Sequence, residues 1–347
     1  MRIATYHHDG VQRAGVVSRE RVHPFGDGLD ARAVIGRGLE AALELGADAL
    51  AASAGVELAD VRLLAPLAPA SVRDFVAFEE HVSGVRRSID GVGGVPEAWY
   101  DAPTFYFTNP HTIIGPDDDV LFPAGCAARD FELEVAVVLG SGGTSLTVEQ
   151  ARGAVFGYTI LNDWSARDLQ RREMQVSLGP AKGKDFAGTL GPWIVTADEL
   201  EPYRDDAGFL DLRCSVAVNG VEIGHDVLSN MGWTFETMIA YASRDSRVVA
   251  GDVLGSGTVG NGGCLAELWG RSGAQTPPPL QPGDLVTLTV QGIGSLRNRV
   301  AVGPPAPTLP AVRQRDPARA RTCSERHPRC SSTSPATTSG TWASSPH

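Results

Sequence analysis

No stretch of this 347-residue chain approaches the roughly 18 consecutive apolar residues that a membrane-spanning helix needs. Its first residues, Met1-Arg2-Ile3-Ala4-Thr5-Tyr6-His7-His8, lack the apolar core of a signal peptide, so a cytoplasmic location is expected. Excess positive charge is missing as well. With 41 acidic against 30 basic residues the net charge is −11, which disfavours nucleic acid and anionic membranes as partners. Cysteine is scarce: Cys126, Cys214, Cys264, Cys323 and Cys330 are odd in number and have no zinc-ligand spacing, and they read as reduced thiols. Cys323, His327 and Cys330 form a local cluster, but in a tail with too little apolar surface to offset the entropy of ordering a metal site. No internal repeat is present.

What is there belongs to a soluble globular protein, 42% hydrophobic and 20% charged, long enough to bury a large core. Residues 1–70 read as a small β-rich amino-terminal domain. It has strand-like runs at Arg2–Tyr6, Val11–Val17 and Val61–Leu67, and a helix candidate at Leu39–Ala52. Residues 71–303 read as a second, larger domain, with mostly β runs and interspersed short helices, which argues for an α+β class and against regular βαβ alternation. Its clearest signals are a hairpin at Cys214–Ile223, a helix at Trp233–Ala242 and strands at Leu285–Val290 and Leu296–Val302. The Gly/Pro-rich loop Gly91–Pro103 is a candidate cover for a site. From residue 304 the chain turns Pro-, Arg- and Ser/Thr-rich, with six arginines against Asp316 and Glu325. That composition predicts disorder, and the abrupt loss of periodicity also fits a terminal frameshift.

The most informative residues run from Asp130 to Asp168. At strand period Phe131, Leu133, Val135 and Val137 share one face while Glu132 and Glu134 share the other. Two carboxylates that close, partly withdrawn from water, repel unless a proton or a cation intervenes. With no Cys or His in the cluster, a hard divalent ion is the simplest compensation; a solvated strand face is the plain alternative. Asp163 ends another strand-like run, and Ser165 with Asp168 resembles a capping box opening a helix on which Arg167 and Gln170 share a face. From Asp74 to Val85 the apolar residues Phe75, Phe78, Val82 and Val85 recur at helical spacing, which puts Asp74 and His81, seven apart, on one face of a helix. A lone His near aromatics is more often a packed core residue, although here a fourth carboxylate accompanies it. Lys182 and Lys184 sit in a flexible loop, where such lysines are usually solvated. Gly255-Ser256-Gly257-Thr258-Val259-Gly260 matches a dinucleotide pattern, yet no helix follows it to receive a phosphate. The glycines fit close approach of backbone to a small ligand better.

Taken together, these motifs resemble the fumarylacetoacetate hydrolase family from about Ser71 to Val302. The resemblance rests on Asp74-x6-His81, Phe131-Glu132-Leu133-Glu134, Asn162-Asp163-Trp164-Ser165-Ala166-Arg167-Asp168-x-Gln170, Lys182-Gly183-Lys184-Asp185-Phe186 with Gly191-Pro192-Trp193, and Gly255-Ser256-Gly257-Thr258 followed by Glu267. It implies a β-rich roll, usually dimeric, and an enzyme cleaving a carbon–carbon bond in a 1,3-dicarbonyl acid of the acylpyruvate or fumarylacetoacetate type, as in aromatic-compound catabolism. Asp74, Glu132, Glu134 and Asp163 would hold magnesium, or calcium or manganese. His81 would be the general base on water, oriented by Glu267. Arg167, Gln170 and Lys184 would bind substrate and the developing oxyanion, with Tyr106 and Thr258 lining the pocket. The family also holds decarboxylases, hydratases and isomerases of 2-oxo acids, and a non-catalytic binding role is the remaining alternative. Three departures point to a different substrate. Val76 stands where the animal enzyme has a tyrosine, Gly188 where it has a threonine, and the loop before Lys184 is one residue longer, which leaves Lys182 as a substitute.

Overall fold

Strand Leu133–Leu139 is buried at every position. Leu133, Val135, Val137 and Leu139 enter the larger of the hydrophobic cores, and Ala136 and Val138 enter a second one on the other face of the sheet. A strand covered on both faces needs neighbours on both edges, and it has Val155–Asp163 on one side and Val253–Gly255 on the other. These three lie in the middle of a twelve-stranded sheet. Outward from Val155–Asp163 come Gly188–Thr196, Arg2–His8, Val11–Ser18, Arg21–Pro24 and Val56–Glu57; outward from Val253–Gly255 come Val72–Phe75 and Phe105–Thr108.

A five-stranded sheet, in the order Val221–Val227, Arg213–Val218, Leu285–Val290, Gly294–Val302 and Val120–Phe122, packs its apolar residues into the larger core. Its first two strands form the hairpin expected from the sequence, turning at Asn219-Gly220 between Val218 and Val221. The protein is α+β and rich in β structure. The computed structural model describes residues 1–26 and 28–314. The Cys323, His327 and Cys330 cluster, and the tail from residue 315 on, lie outside the described residues.

The sheet crosses the boundary expected near residue 70. Arg2–His8 pairs antiparallel with Gly188–Thr196, Ile3 opposite Ile194, and Met1–Pro305 is one compact unit. Helix Leu39–Ala52 spans the range expected from its pattern. Two local expectations need correction. Asp74 is not helical: Val72–Phe75 is a strand beside Val253–Gly255, and the helix carrying His81 begins only at Glu79. The apolar residues Phe75 and Phe78 mimic a helical period, but Val72 to Asp74 have sheet partners on both sides, and the ladder prevails over spacing. Nor does Ser165 open a capping box. It pairs with Asp130 in a two-stranded ladder, and helix Arg167–Met174 starts after Ala166 with no side-chain cap. No described helix is long and apolar enough to cross a membrane.

Helix Leu265–Ser272 lies against helix Glu79–Asp90 at very short range. A Cβ at Gly270 would fall 1.9 Å from the Gly84 carbonyl oxygen, so only glycine permits this contact. The contact brings Glu267 alongside the helix of His81.

Candidate active site

The central strands deliver their carboxylates to one place. Asp74 comes from Val72–Phe75, Glu132 and Glu134 from the start of Leu133–Leu139, and their oxygens lie within 4.8 Å of one another, all buried. A solvated strand face is thereby excluded. Gly255, on the strand between them, makes the gathering possible: a Cβ there would lie 2.4 Å from Glu134 Oε2 and 3.3 Å from Asp74 Oδ1.

The two cations expected at the site are both inside it. Lys184 Nζ donates to Glu132 Oε2 and, at 2.6 Å, to Asp163 Oδ2. Lys182 instead points outward and pairs with Asp185, so it does not substitute for Lys184. Arg167 donates to Glu132 Oε1 at 2.7 Å, to Asp130 Oδ2 at 2.9 Å and to Gln170 Oε1 at 3.0 Å. Burial pushes the Glu132 carboxyl up, but Lys184 and then Arg167 outweigh it and hold the group well below the ordinary carboxylate range. Burial likewise opposes charge on Lys184, and Asp163 with Glu132 reverses this, so the ammonium is held.

Asp74 and Glu134 lack such partners. Burial first, then Asp163 for the one and Asp74 for the other, pushes both carboxyls well up. Among the described residues, Asp74 Oδ1, both oxygens of Glu134 and Asp163 Oδ1 are buried without a hydrogen-bond partner. Buried oxygens of this kind cost free energy unless something positive meets them. The donor set is all oxygen and carboxylate-rich, and it fits a hard divalent cation. Asp163 is partnered like Glu132, its Oδ2 being taken by Lys184 and the Tyr106 hydroxyl, but its Oδ1 is left over.

His81 is buried, and burial pushes its imidazole down from 6.5 to about 4. Its Nδ1 lies 3.7 Å from Cys264 Sγ. Here the sequence expectation needs its main correction. Glu267 does not bond His81; its carboxylate lies 2.6 Å from the Arg271 guanidinium, one turn along the same helix. Thr258 is buried, and its hydroxyl has no partner among the described residues. Asp74, His81, Tyr106, Glu132, Glu134, Arg167, Gln170, Lys184 and Thr258 all line one cavity of about 410 Å³, whose lining does not include Asp163 or Glu267.

Two residues here escaped the sequence reading. Cys264 caps helix Leu265–Ser272 through its sulfur and is the only hydrogen-bond partner of the His81 ring among the described residues. Asp130 accepts from the backbone of Leu265 and Ala266 at 2.8 and 2.9 Å while holding Arg167, so one buried carboxylate ties the Arg167 helix to the Glu267 helix. Its even-number parity with Glu132 and Glu134 was the available signal. Asp130→Asn is expected to lower stability by about 2 kcal/mol, the scale of hydrogen bonds to a charged group, in chemical denaturation. A change below roughly 0.5 kcal/mol would assign the tie elsewhere.

A family model described as fumarylacetoacetate (FAA) hydrolase C-terminal matches residues 70–301. An oxaloacetate tautomerase of Bacillus subtilis is 30% identical over 245 residues, covering 70% of this chain and 74% of its own. The solved fumarylacetoacetate hydrolase of Exiguobacterium antarcticum superposes with a TM-score of 0.69 at 29% identity, over 87% of this chain and 99% of its own. A maleylpyruvate hydrolase of Sphingobium sp. SYK-6, solved with manganese and pyruvate, shares the fold at a TM-score of 0.65 and 24% identity, over 88% of this chain and all of its own.

Proposed function

The chain belongs to the fumarylacetoacetate hydrolase family, whose members include hydrolases, isomerases and tautomerases, and on that premise we propose that it is a divalent-cation-dependent hydrolase of an acylpyruvate-type 1,3-dicarbonyl acid. The observation that carries this reading is the set of unpartnered buried oxygens on Asp74, Glu134 and Asp163 beside Glu132, in a cavity that also holds a neutral histidine. Asp74, Glu132, Glu134 and Asp163 would hold the cation. A magnesium, manganese or calcium ion there would supply the positive charge that offsets the charge developing as the carbon–carbon bond of the substrate breaks.

The chain's own residues do the rest. His81, kept unprotonated by burial, accepts a proton from water, and the resulting hydroxide adds to the acyl carbonyl. Lys184, whose charge is held by Asp163 and Glu132, faces the negative oxygen of that adduct. Gln170, fixed through its Oε1 by Arg167, keeps its amide N–H groups for substrate oxygens. Collapse releases the acyl group as a carboxylic acid and the other fragment as pyruvate, water supplying the atoms gained.

His81→Ala is expected to lower acylpyruvate cleavage by about 10²–10⁴-fold while leaving cation binding intact. Protonated His81 cannot act as base, so kcat/KM should fall as the pH drops, with its acid limb near pH 4 and not near 6.5. A second reading, tautomerisation of a 2-oxo acid, gains support from Glu267, which is engaged by Arg271 and not by His81, and from the tautomerase relative. That reading replaces the first if His81→Ala leaves cleavage unchanged, or if the protein interconverts oxaloacetate tautomers while failing to release pyruvate from any acylpyruvate.

A further inference from the structure

The cavity that holds the reactive groups has little charge to offer the far end of a substrate. Among the described residues its wall contains two cations, Arg167 and Lys184. Both are committed to the reacting centre: Arg167 is divided between Asp130 and Glu132, and Lys184 between Glu132 and Asp163. The basic residues nearest them in sequence are not part of the cavity wall. Arg171 and Arg172 are exposed, and Lys182 is on the surface with Asp185. The remaining wall includes Val76, Val85, Phe105, Met174 and Pro180. Between the last two, Val176 and Leu178 are exposed to 68% and 82%, so the chain beside the cavity presents apolar surface over most of a seven-residue stretch.

A substrate with a carboxylate at each end would place its second charge against this apolar wall, near four acidic side chains and with no cation to meet it. An uncompensated charge withdrawn from water is strongly unfavourable. The neutral donors of Thr104, Gln170 and Thr258 suit a carbonyl and cannot replace a cation. A volume of about 410 Å³ is toward the lower end of ligand cavities, about 300–1,000 Å³, and leaves room for a modest tail beyond a pyruvate head.

Resting on the reading of this site as an acylpyruvate hydrolase, we infer that the acyl group of the substrate is uncharged and apolar, an aliphatic or aromatic acyl group of moderate length, and that dicarboxylate analogues are rejected. Val76, Met174 and Pro180 set this preference.

The test compares pyruvate release from hexanoylpyruvate and from fumarylpyruvate in the presence of magnesium or manganese. The apolar substrate is expected to lead by at least about tenfold in kcat/KM, the scale on which a pocket separates unlike side groups; an equal or reversed preference overturns the inference. Met174→Arg, at a position 44% exposed where a long side chain can be accommodated, should shift the ratio by about tenfold toward the dicarboxylate. An unchanged ratio places the acyl group elsewhere and counts against the inference. If neither compound is cleaved, the functional reading falls while this one is still decided by calorimetry with unreactive ligands of equal length. Binding of 2-oxooctanoate at least about tenfold tighter than 2-oxosuberate supports it; equal binding, or no binding of either, ends it.

Discussion

Glu134→Gln is expected to make the cation-free protein more stable and to erase most of the stabilisation that magnesium or manganese gives the parent chain. Without a cation Asp74 and Glu134 are buried, mutually repelling and pushed well above their ordinary values of 3.8 and 4.5. A carboxyl whose folded-state value is raised contributes stability below its unfolded value and loses it as the pH rises toward the raised one. The cation-free parent should therefore weaken from about pH 5 upward, and the gain in Tm on adding cation should grow over the same range. A ligand at a hundred times its Kd adds about 2.7 kcal/mol, several degrees of Tm for a protein of this size. Replacing one carboxylate by an amide removes a charge that only a cation can satisfy, so the variant starts higher and gains little. Activity should fall by at least about two orders of magnitude, since loss of even an indirect support of a metal site costs about 10–100-fold. A variant less stable than its parent without cation, yet equally responsive to it, would show that these oxygens do not meet at a common ion.

Lys184→Met should cost about 3–5 kcal/mol, because it leaves Glu132 and Asp163 as buried charges deprived of a partner. It should also lower kcat by about 10²–10³-fold, the usual loss when one group facing an oxyanion is removed. The stability loss should be larger without divalent cation than with it, since a bound ion takes over part of the neutralisation. Lys182→Met is the control: Lys182 is exposed and bridges only Asp185, so a change within roughly 0.5 kcal/mol is expected. Chemical denaturation and initial rates of both variants decide the matter. Equal effects at the two positions would remove Lys184 from the site.

The acidic strand was legible because alternation is a backbone property. Glu132 and Glu134 oppose Leu133 and Val135 wherever this segment lies in a sheet, and both are buried. Helix Leu39–Ala52 and the Asn219-Gly220 hairpin were legible for the same local reason. Asp74 and His81 show the limit of such reasoning. They do share a cavity, but by a strand, a short connection and a helix, and not by two turns of one helix. The partner of Glu267 carried a local signal, Arg271 four positions on along the same helix, whereas how near Glu267 comes to His81 depends on the packing of two helices. Asp130 carried a parity signal but no indication that it would receive the start of helix Leu265–Ser272, more than 130 positions away.

By itself the sequence determined the chemical types available, namely paired acids on strand faces, one histidine near an acid and a lysine-bearing glycine loop, because these follow from residue identity and short-range periodicity. Which acids gather in one buried cluster, which lysine points inward and what faces His81 were decided by the tertiary structure. Those outcomes depend on distances between segments a hundred residues apart, where electrostatic attraction and the cost of burying charge are set by packing that no local pattern records.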